Sequence, residues 1–433
     1  MLYIILPIFT AAETAYALLE ERALIRRYGT EYMYYKKTTA FFLPHLSVIL
    51  KIPARLLFKL VFSYSVTGKS NIPDTVPFFI VASHRNYLDP FFIANIIDCP
   101  VHYVATYEVF RKSLTRLIFQ RFMCIPKKRY LKDISAIRKI KTLLDGKAVI
   151  GIFPEGRRSW TGTVGRFKPE ALKLFRKYHE IPILPVKLQG NYHSWPRWAK
   201  SFRRAKLSIS LQKPIRISQD NTLEEIEKRI KNKIEPDDIS ACCRSKNRAN
   251  NIALVIYRCP VCSSFHPMKI TGKAEFECEK CFTRFSILQD YTIEFDERGL
   301  TKRESIDKLY NRIRIQDSDI QTRGDTPSEP GVIARCDKAV FFEERENRIV
   351  KLFYGTLLLT NKNLLMECEN HKLAVDLERI LSVTIESNYK LQVFESGKNR
   401  LYQIIFECES ALKWQDYLLK VIENEFGFLP NDR

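Results

Sequence analysis

The run Phe78-Phe79-Ile80-Val81-Ala82 leads directly into Ser83-His84-Arg85-Asn86-Tyr87-Leu88-Asp89-Pro90, and this stretch decides the fold. The apolar run predicts a strand, which places His84 and Asp89 at its C-terminal end. In open α/β sheets that edge is where loops meet and ligands bind. A histidine there can take a proton from a hydroxyl, and an aspartate can hold the imidazole in the required tautomer. No Gly-x-Ser-x-Gly elbow supplies a protein nucleophile beside the pair, so the activated hydroxyl is expected to belong to the substrate. Asp89-Pro90 also reads as a helix start, with the aspartate as N-cap and the proline at N1. A carboxylate has acceptor sites enough for both roles.

Further along the chain stand Phe153-Pro154-Glu155-Gly156-Arg157-Arg158-Ser159, Cys124-Ile125-Pro126-Lys127-Lys128-Arg129, Phe167-Lys168-Pro169-Glu170-Ala171 and Ile181-Pro182-Ile183-Leu184-Pro185-Val186. With the His84–Asp89 stretch, these blocks resemble the PlsC-like glycerolipid acyltransferases, the 1-acylglycerol-3-phosphate acyltransferase family. That family carries a histidine, four residues and an aspartate, then Phe-Pro-Glu-Gly-Thr-Arg-Ser. Here Arg157 replaces the threonine, Glu170 replaces a glycine, and the block ending in Arg129 lacks its leading glycine.

The resemblance implies acyl transfer from an acyl thioester, acyl-CoA or acyl-carrier protein, to a hydroxyl of a lysophospholipid. His84 would be the general base and Asp89 its orienting carboxylate. A thioester is already activated, so proximity and a base suffice. Arg129, Arg158 and Lys168 would take the acceptor's phosphate through charge-assisted bonds, with Glu155 and Gly156 shaping the acceptor site. No organic cofactor is implied. The alternative is a non-catalytic membrane- or protein-binding adaptor built on a degenerate acyltransferase core.

The formal charge of +21 and pI near 9.4 call for an anionic partner. Basic and apolar residues intermingle over 43–62 and 111–141, which favours anionic membrane lipids over nucleic acid. Residues 1–19 are largely apolar with Glu13 the only charge, marginal for a membrane span. Glu21, Arg22, Arg26 and Arg27 follow, so a span would leave its C-terminal end in the cytoplasm. The expected location is membrane-associated, on the cytoplasmic face. The absence of a cationic n-region and of a cleavage pattern predicts no signal peptide. Residues 20–44, with Glu20-Glu21 and Tyr28-Gly29-Thr30-Glu31-Tyr32, are similar to the C-terminal tail of isoprenylcysteine carboxyl methyltransferase-like proteins. The cofactor-binding region of that family is missing.

Cys259-Pro260-Val261-Cys262 and Cys278-Glu279-Lys280-Cys281 form two knuckles separated by fifteen residues. Four thiolates so spaced suit tetrahedral zinc in a structural, saturated site, and the segment resembles a zinc ribbon, with strands expected at 252–257 and 282–288. Eleven cysteines with this usage argue for a reducing compartment. Beyond it, eight short strand patterns between 339 and 408 and a helix over 409–426 resemble a pleckstrin-homology-like (PH or GRAM-type) fold; lipid binding, protein binding and scaffolding stay open for it.

The expected architecture is an α/β acyltransferase core, a mixed sheet flanked by helices, preceded by N-terminal membrane-associated helices and followed by a zinc ribbon and a β-rich PH-like domain. The boundaries are 1–65, 66–235, 250–290, a linker over 291–334, and 335–430. Within the core, strands are expected at 101–105, 148–153, 183–188 and, closing the sheet, 207–211. Helices are expected from Pro90, over 107–122, along the stripe Ile134, Ile137, Ile140, Leu144, and over 171–178 and 223–234.

Overall fold

A computed structural model describes residues 62–110, 116, 119, 124–127, 133–237, 243, 245–265, 268–321, 331–346 and 348–430. The expected membrane-associated and methyltransferase-like segment up to residue 61, and Arg129, lie outside the described residues.

The first sheet is built from β1 (Ser63–Thr67), β2 (Phe79–Ala82), β3 (Val101–Thr106), β4 (Ile125–Lys127), β5 (Val149–Ile152), β6 (Ile183–Gln189) and β7 (Lys206–Leu211), in the order β1-β7-β6-β2-β5-β3-β4. Neighbours from β6 to β4 pair in parallel, whereas β7 runs antiparallel to β6 and parallel to β1. Every residue of β2 and β5 is buried, as a parallel sheet covered on both faces requires. The covering helices are α1 (Asp89–Ala94), α2 (Ile134–Asp145), α3 (Pro169–Lys177) and α4 (Leu223–Ile234). In α4 the side chain of Thr222 and that of Glu225 form a reciprocal capping box, and Ile226, Ile230 and Ile234 face the core.

Four expectations for this layer change. Residues 207–211 do not close the sheet, because β1 adds outside β7, and Ser63 falls within the segment assigned to N-terminal helices. The buried stripe of α2 is Ala136, Ile140 and Leu144, while Ile134 and Ile137 are exposed. Asp133 sets that phase by capping the helix, its side chain accepting from the Ala136 N–H. Leu88, not Asp89, is the N-cap of α1.

A second, antiparallel sheet follows, ordered β12-β11-β10-β9-β8, from β8 (Met268–Ile270), β9 (Glu275–Cys278), β10 (Arg284–Ile287), β11 (Thr292–Glu297) and β12 (Leu300–Ser305). The expected strand over 252–257 is instead a 3-10 turn at Ile252–Leu254, entered through Asn251 at φ 65°. The linker expected over 291–334 is also corrected. Its first part is the β11–β12 hairpin, turned by Arg298 and Gly299 at φ 56° and 77°, and then helix α5 (Ile306–Ile313). Ile293 and Phe295 are buried by alternation along β11, a signal masked in the sequence by the charges between them.

The third sheet contains β13 (Val332–Arg345), β14 (Arg348–Thr360), β15 (Asn363–Cys368), β16 (His371–Asp376), β17 (Ile380–Glu386), β18 (Lys390–Glu395) and β19 (Arg400–Phe406), in the order β16-β15-β14-β13-β19-β18-β17. Two of the eight short strand patterns, 349–353 and 356–360, are one continuous strand, bulged at its pairing with β13. Gly355 permits this, since a Cβ there would lie 2.1 Å from the Glu367 carbonyl oxygen. Helix α6 (Ala411–Phe426) packs on β17 and β18 and buries Trp414, Tyr417 and Leu418. One hydrophobic cluster runs from Trp160, Tyr192 and Trp198 through the cysteine segment and the second sheet to Ile385 and Trp414. The second and third sheets therefore share a core with Trp160, Tyr192 and Trp198, while the strands of the first sheet pack in two clusters of their own. Among the described residues, no helix is long and apolar enough to cross a membrane.

Candidate active site

His84 and Asp89 meet immediately beyond the C-terminal end of β2. His84 Nδ1 lies 3.1 Å from Asp89 Oδ2. Asp89 is fully buried, and its carboxylate also accepts from the Arg85 N–H at 2.7 Å, the Asn86 N–H at 2.8 Å and Asn191 Nδ2 at 2.8 Å. A carboxylate so surrounded by donors is an acceptor toward imidazole as well, which fixes the proton on Nδ1 and the lone pair on Nε2. Nothing among the described residues hydrogen-bonds Nε2, and the His84 side chain keeps 22% of its surface exposed. Burial pulls the His84 pKa below its ordinary value. Asp89 opposes that shift, while the positive fields of Arg158 and Arg197 add to it. The ring is therefore a neutral base at neutral pH.

The Glu155 block is fastened to the peptide groups of His84 itself. The His84 N–H donates to Glu155 Oε1 at 2.9 Å, and the Ser159 N–H donates to the His84 carbonyl at 2.8 Å. Glu155 Oε2 accepts from the Gly165 N–H at 3.0 Å. Burial raises the Glu155 carboxyl to about 7, against the pull of these two N–H donors. Both Glu155 oxygens thus face backbone, and the side chain lies beneath His84 as a brace. Gly156, at φ 65°, makes the turn that the brace needs. Lys168 is the N-cap residue of α3, its N–H donating to the Pro154 carbonyl at 2.8 Å; a Cβ on Gly156 would sit 3.3 Å from Lys168 Cγ. Arg158 is buried with its guanidinium carbon 3.2 Å from the centroid of the Tyr87 ring. Arg157 is exposed.

Sequence reasoning missed the residues that support the pair. Gly190, at φ 73°, follows β6 and leads into the turn Asn191–Ser194, where Asn191 reaches Asp89. Arg85 is fully buried and donates to the carbonyls of Gly162 and Leu188 and to Asn191 Oδ1. Arg197 donates to the Arg158 carbonyl at 2.9 Å. The only available cue was Gly190-Asn191 after an apolar strand. Phe153 stacks on the His84 ring at 4.5 Å and Tyr103 on Phe153 at 5.9 Å, giving the base an aromatic wall. Cys124, close to Tyr103, has its thiol pushed up to about 12 by burial, so it supplies no thiolate nucleophile.

Cys259, Cys262, Cys278 and Cys281 converge with their sulfurs within 4.8 Å of one another. The Cys259–Cys281 and Cys262–Cys278 separations are 3.7 and 3.8 Å. Tetrahedral coordination with metal–sulfur bonds of about 2.3 Å demands edges of about 3.8 Å, so the donor set fits a metal ion.

Residues 63–189 match the family described as Acyltransferase. The chain is 30% identical over 126 residues to a 1-acyl-sn-glycerol-3-phosphate acyltransferase of Borreliella burgdorferi, covering 28% of this chain and 50% of that protein. It is 27% identical over 198 residues to a probable 1-acyl-sn-glycerol-3-phosphate acyltransferase of Mycoplasma genitalium, covering 44% of this chain and 68% of that one. The chain thus spans half the length of the first of these relatives. A solved structure of PlsC from Thermotoga maritima is 21% identical, with TM-score 0.38, over 53% of this chain and 88% of that chain.

Proposed function

We propose that the protein transfers a fatty acyl group from an acyl thioester to the hydroxyl of a phosphate-bearing lysophospholipid such as 1-acylglycerol-3-phosphate. The observation that carries this reading is the neutral His84, held through Nδ1 by buried Asp89 with Nε2 open. Nε2 removes the acceptor hydroxyl's proton as its oxygen attacks the thioester carbonyl. Asp89 stabilises the imidazolium that results, and the collapsing tetrahedral intermediate expels the thiolate, which takes the proton back. The acyl–oxygen bond forms, the acyl–sulfur bond breaks, and no acyl-enzyme is required.

Arg129, Arg158 and Lys168 serve the acceptor's phosphate. Glu155 and Gly156 act by holding the histidine's backbone and the turn. The domain names borne by the relatives and the expected membrane association, which fits an excess charge of +21, favour a lipid acceptor presented at an anionic surface on the cytoplasmic side. The four cysteines would hold one structural zinc, whose chemistry is to tie the two knuckles together. The third sheet with its final helix is read as the PH-like module.

Purified protein in detergent, given acyl-CoA or acyl-carrier protein with a panel of lysophospholipids, should esterify at least one acceptor. Loss of that product in His84→Ala supports the reading. A folded wild-type protein that transfers acyl to none of them would favour the adaptor reading.

A further inference from the structure

Two carbonyls of the third sheet reach the arginine loop. Arg197 is buried, and its guanidinium donates through Nε to the Ser387 carbonyl at 3.2 Å and through Nη2 to the Ile385 carbonyl at 2.7 Å. The third nitrogen, Nη1, donates to the Arg158 carbonyl at 2.9 Å, and the guanidinium carbon sits 4.4 Å from the centroid of Trp160. Arg158 in turn sends Nη2 to the same Ser387 carbonyl at 3.4 Å. Ser387 forms the turn between β17 and β18 at φ 58°. One planar fork thus ties the backbone of Arg158 to the hairpin, and the hairpin receives the Arg158 side chain. A carbonyl orients a guanidinium through its N–H groups without bringing a counter-charge of its own, unlike a carboxylate. Arg197 lies outside the family match at 63–189.

We propose that Arg197 is a positioning residue for Arg158, and that the β17–β18 hairpin thereby sets affinity for the phosphate of the acceptor. Naming the acceptor rests on the acyltransferase reading above; the docking of the hairpin does not.

The test uses the full chain. Acceptor KM is measured with lysophosphatidate varied at saturating acyl-CoA, and donor KM separately, for Arg197→Met, Arg197→Lys, Ser387→Pro and Ser387→Gly. Hydrogen exchange over 385–391 is followed in the same proteins. Proline cannot adopt the positive φ of Ser387 and glycine can, so that pair decides the matter if Arg197→Met does not fold. Arg197→Met and Ser387→Pro should raise acceptor KM at least roughly tenfold, the effect of losing one charge-assisted hydrogen bond, with donor KM unchanged and the hairpin exchanging faster. Ser387→Gly should resemble wild type, and Arg197→Lys should lie between, since one ammonium cannot span three carbonyls. An acceptor KM that stays level or falls while the hairpin loosens would overturn the proposal, as would equal losses for donor and acceptor. If wild type acylates no acceptor, the functional reading fails on its own. Unchanged exchange over 385–391 in Arg197→Met would then still overturn the docking.

Discussion

At the scale of single residues, the chemistry of the site turns on where protons sit. Because burial depresses the His84 pKa, the basic form persists to a pH below the usual histidine value, and the acid limb of kcat/KM should have its midpoint below about 6.5. Asp89→Asn removes the group that raises this pKa, so the limb should move further toward acid while turnover falls by about 10³–10⁴-fold. A limb shifted toward neutral pH in that variant would contradict the assignment. Folding is linked in the same direction: a depressed histidine contributes stability above the unfolded value that is lost as pH falls through the folded one. Glu155→Gln offers one oxygen where two N–H donors need two, leaving the amide opposite the His84 or Gly165 N–H. It should cost about 1–3 kcal/mol in urea unfolding and lower kcat more than it raises either KM. His84, Asp89, Glu155 and Arg158 were legible because each sits in a local string after an apolar run. Asn191 and Arg197 were not, since Asp89 and Ile385, to which they donate, lie a hundred or more positions away in sequence.

At the scale of elements, close approach decides which substitutions the sheet accepts. The Tyr103 ring of β3 lies flat on Gly151 of β5, where a Cβ would come within 2.3 Å of Tyr103 Cε1. Gly151→Ala should therefore displace Tyr103 from Phe153, and with it the ring that backs His84, destabilising by about 1–3 kcal/mol. Thermal unfolding with a parallel assay checks this, and a variant with wild-type Tm and activity would sink it. Strands β2, β3, β5 and β6 were readable because they are short apolar runs bounded by charge or proline, whereas polar β1 and the three-residue β4 were not. The β11–β12 hairpin was not, because alternating Thr, Glu and Asp around Ile293 and Phe295 resembles a polar linker until cross-strand pairing is known. Helix α2 was found but mis-phased, since Ile134 and Ile137 satisfy the helical period on the solvent side.

At the scale of the whole molecule, one hydrophobic cluster ties Trp160, Tyr192 and Trp198 of the first domain to everything after it. Trp160, Tyr192 and Trp198 pack with the second and third sheets, and Tyr257 and Tyr310 both donate to buried Asp416 on α6. Calorimetry should accordingly show one cooperative unfolding transition; two resolved transitions would contradict a common core. The cysteine site should contain about one zinc per chain, absent from a Cys259→Ser/Cys262→Ser protein, and its removal should lower Tm because so small a segment buries little by itself. Acyl transfer that tracked zinc occupancy in a fully folded protein would contradict a purely structural role. The central claim, that His84 is the base for acyl transfer to a lysophospholipid, is tested most directly by single-turnover acylation of lysophosphatidate with radiolabelled acyl-CoA, comparing wild type with a folded His84→Ala protein. Labelled phosphatidate is expected from wild type, with formation at least about 10³-fold slower from the variant. Comparable rates from the two proteins would contradict it.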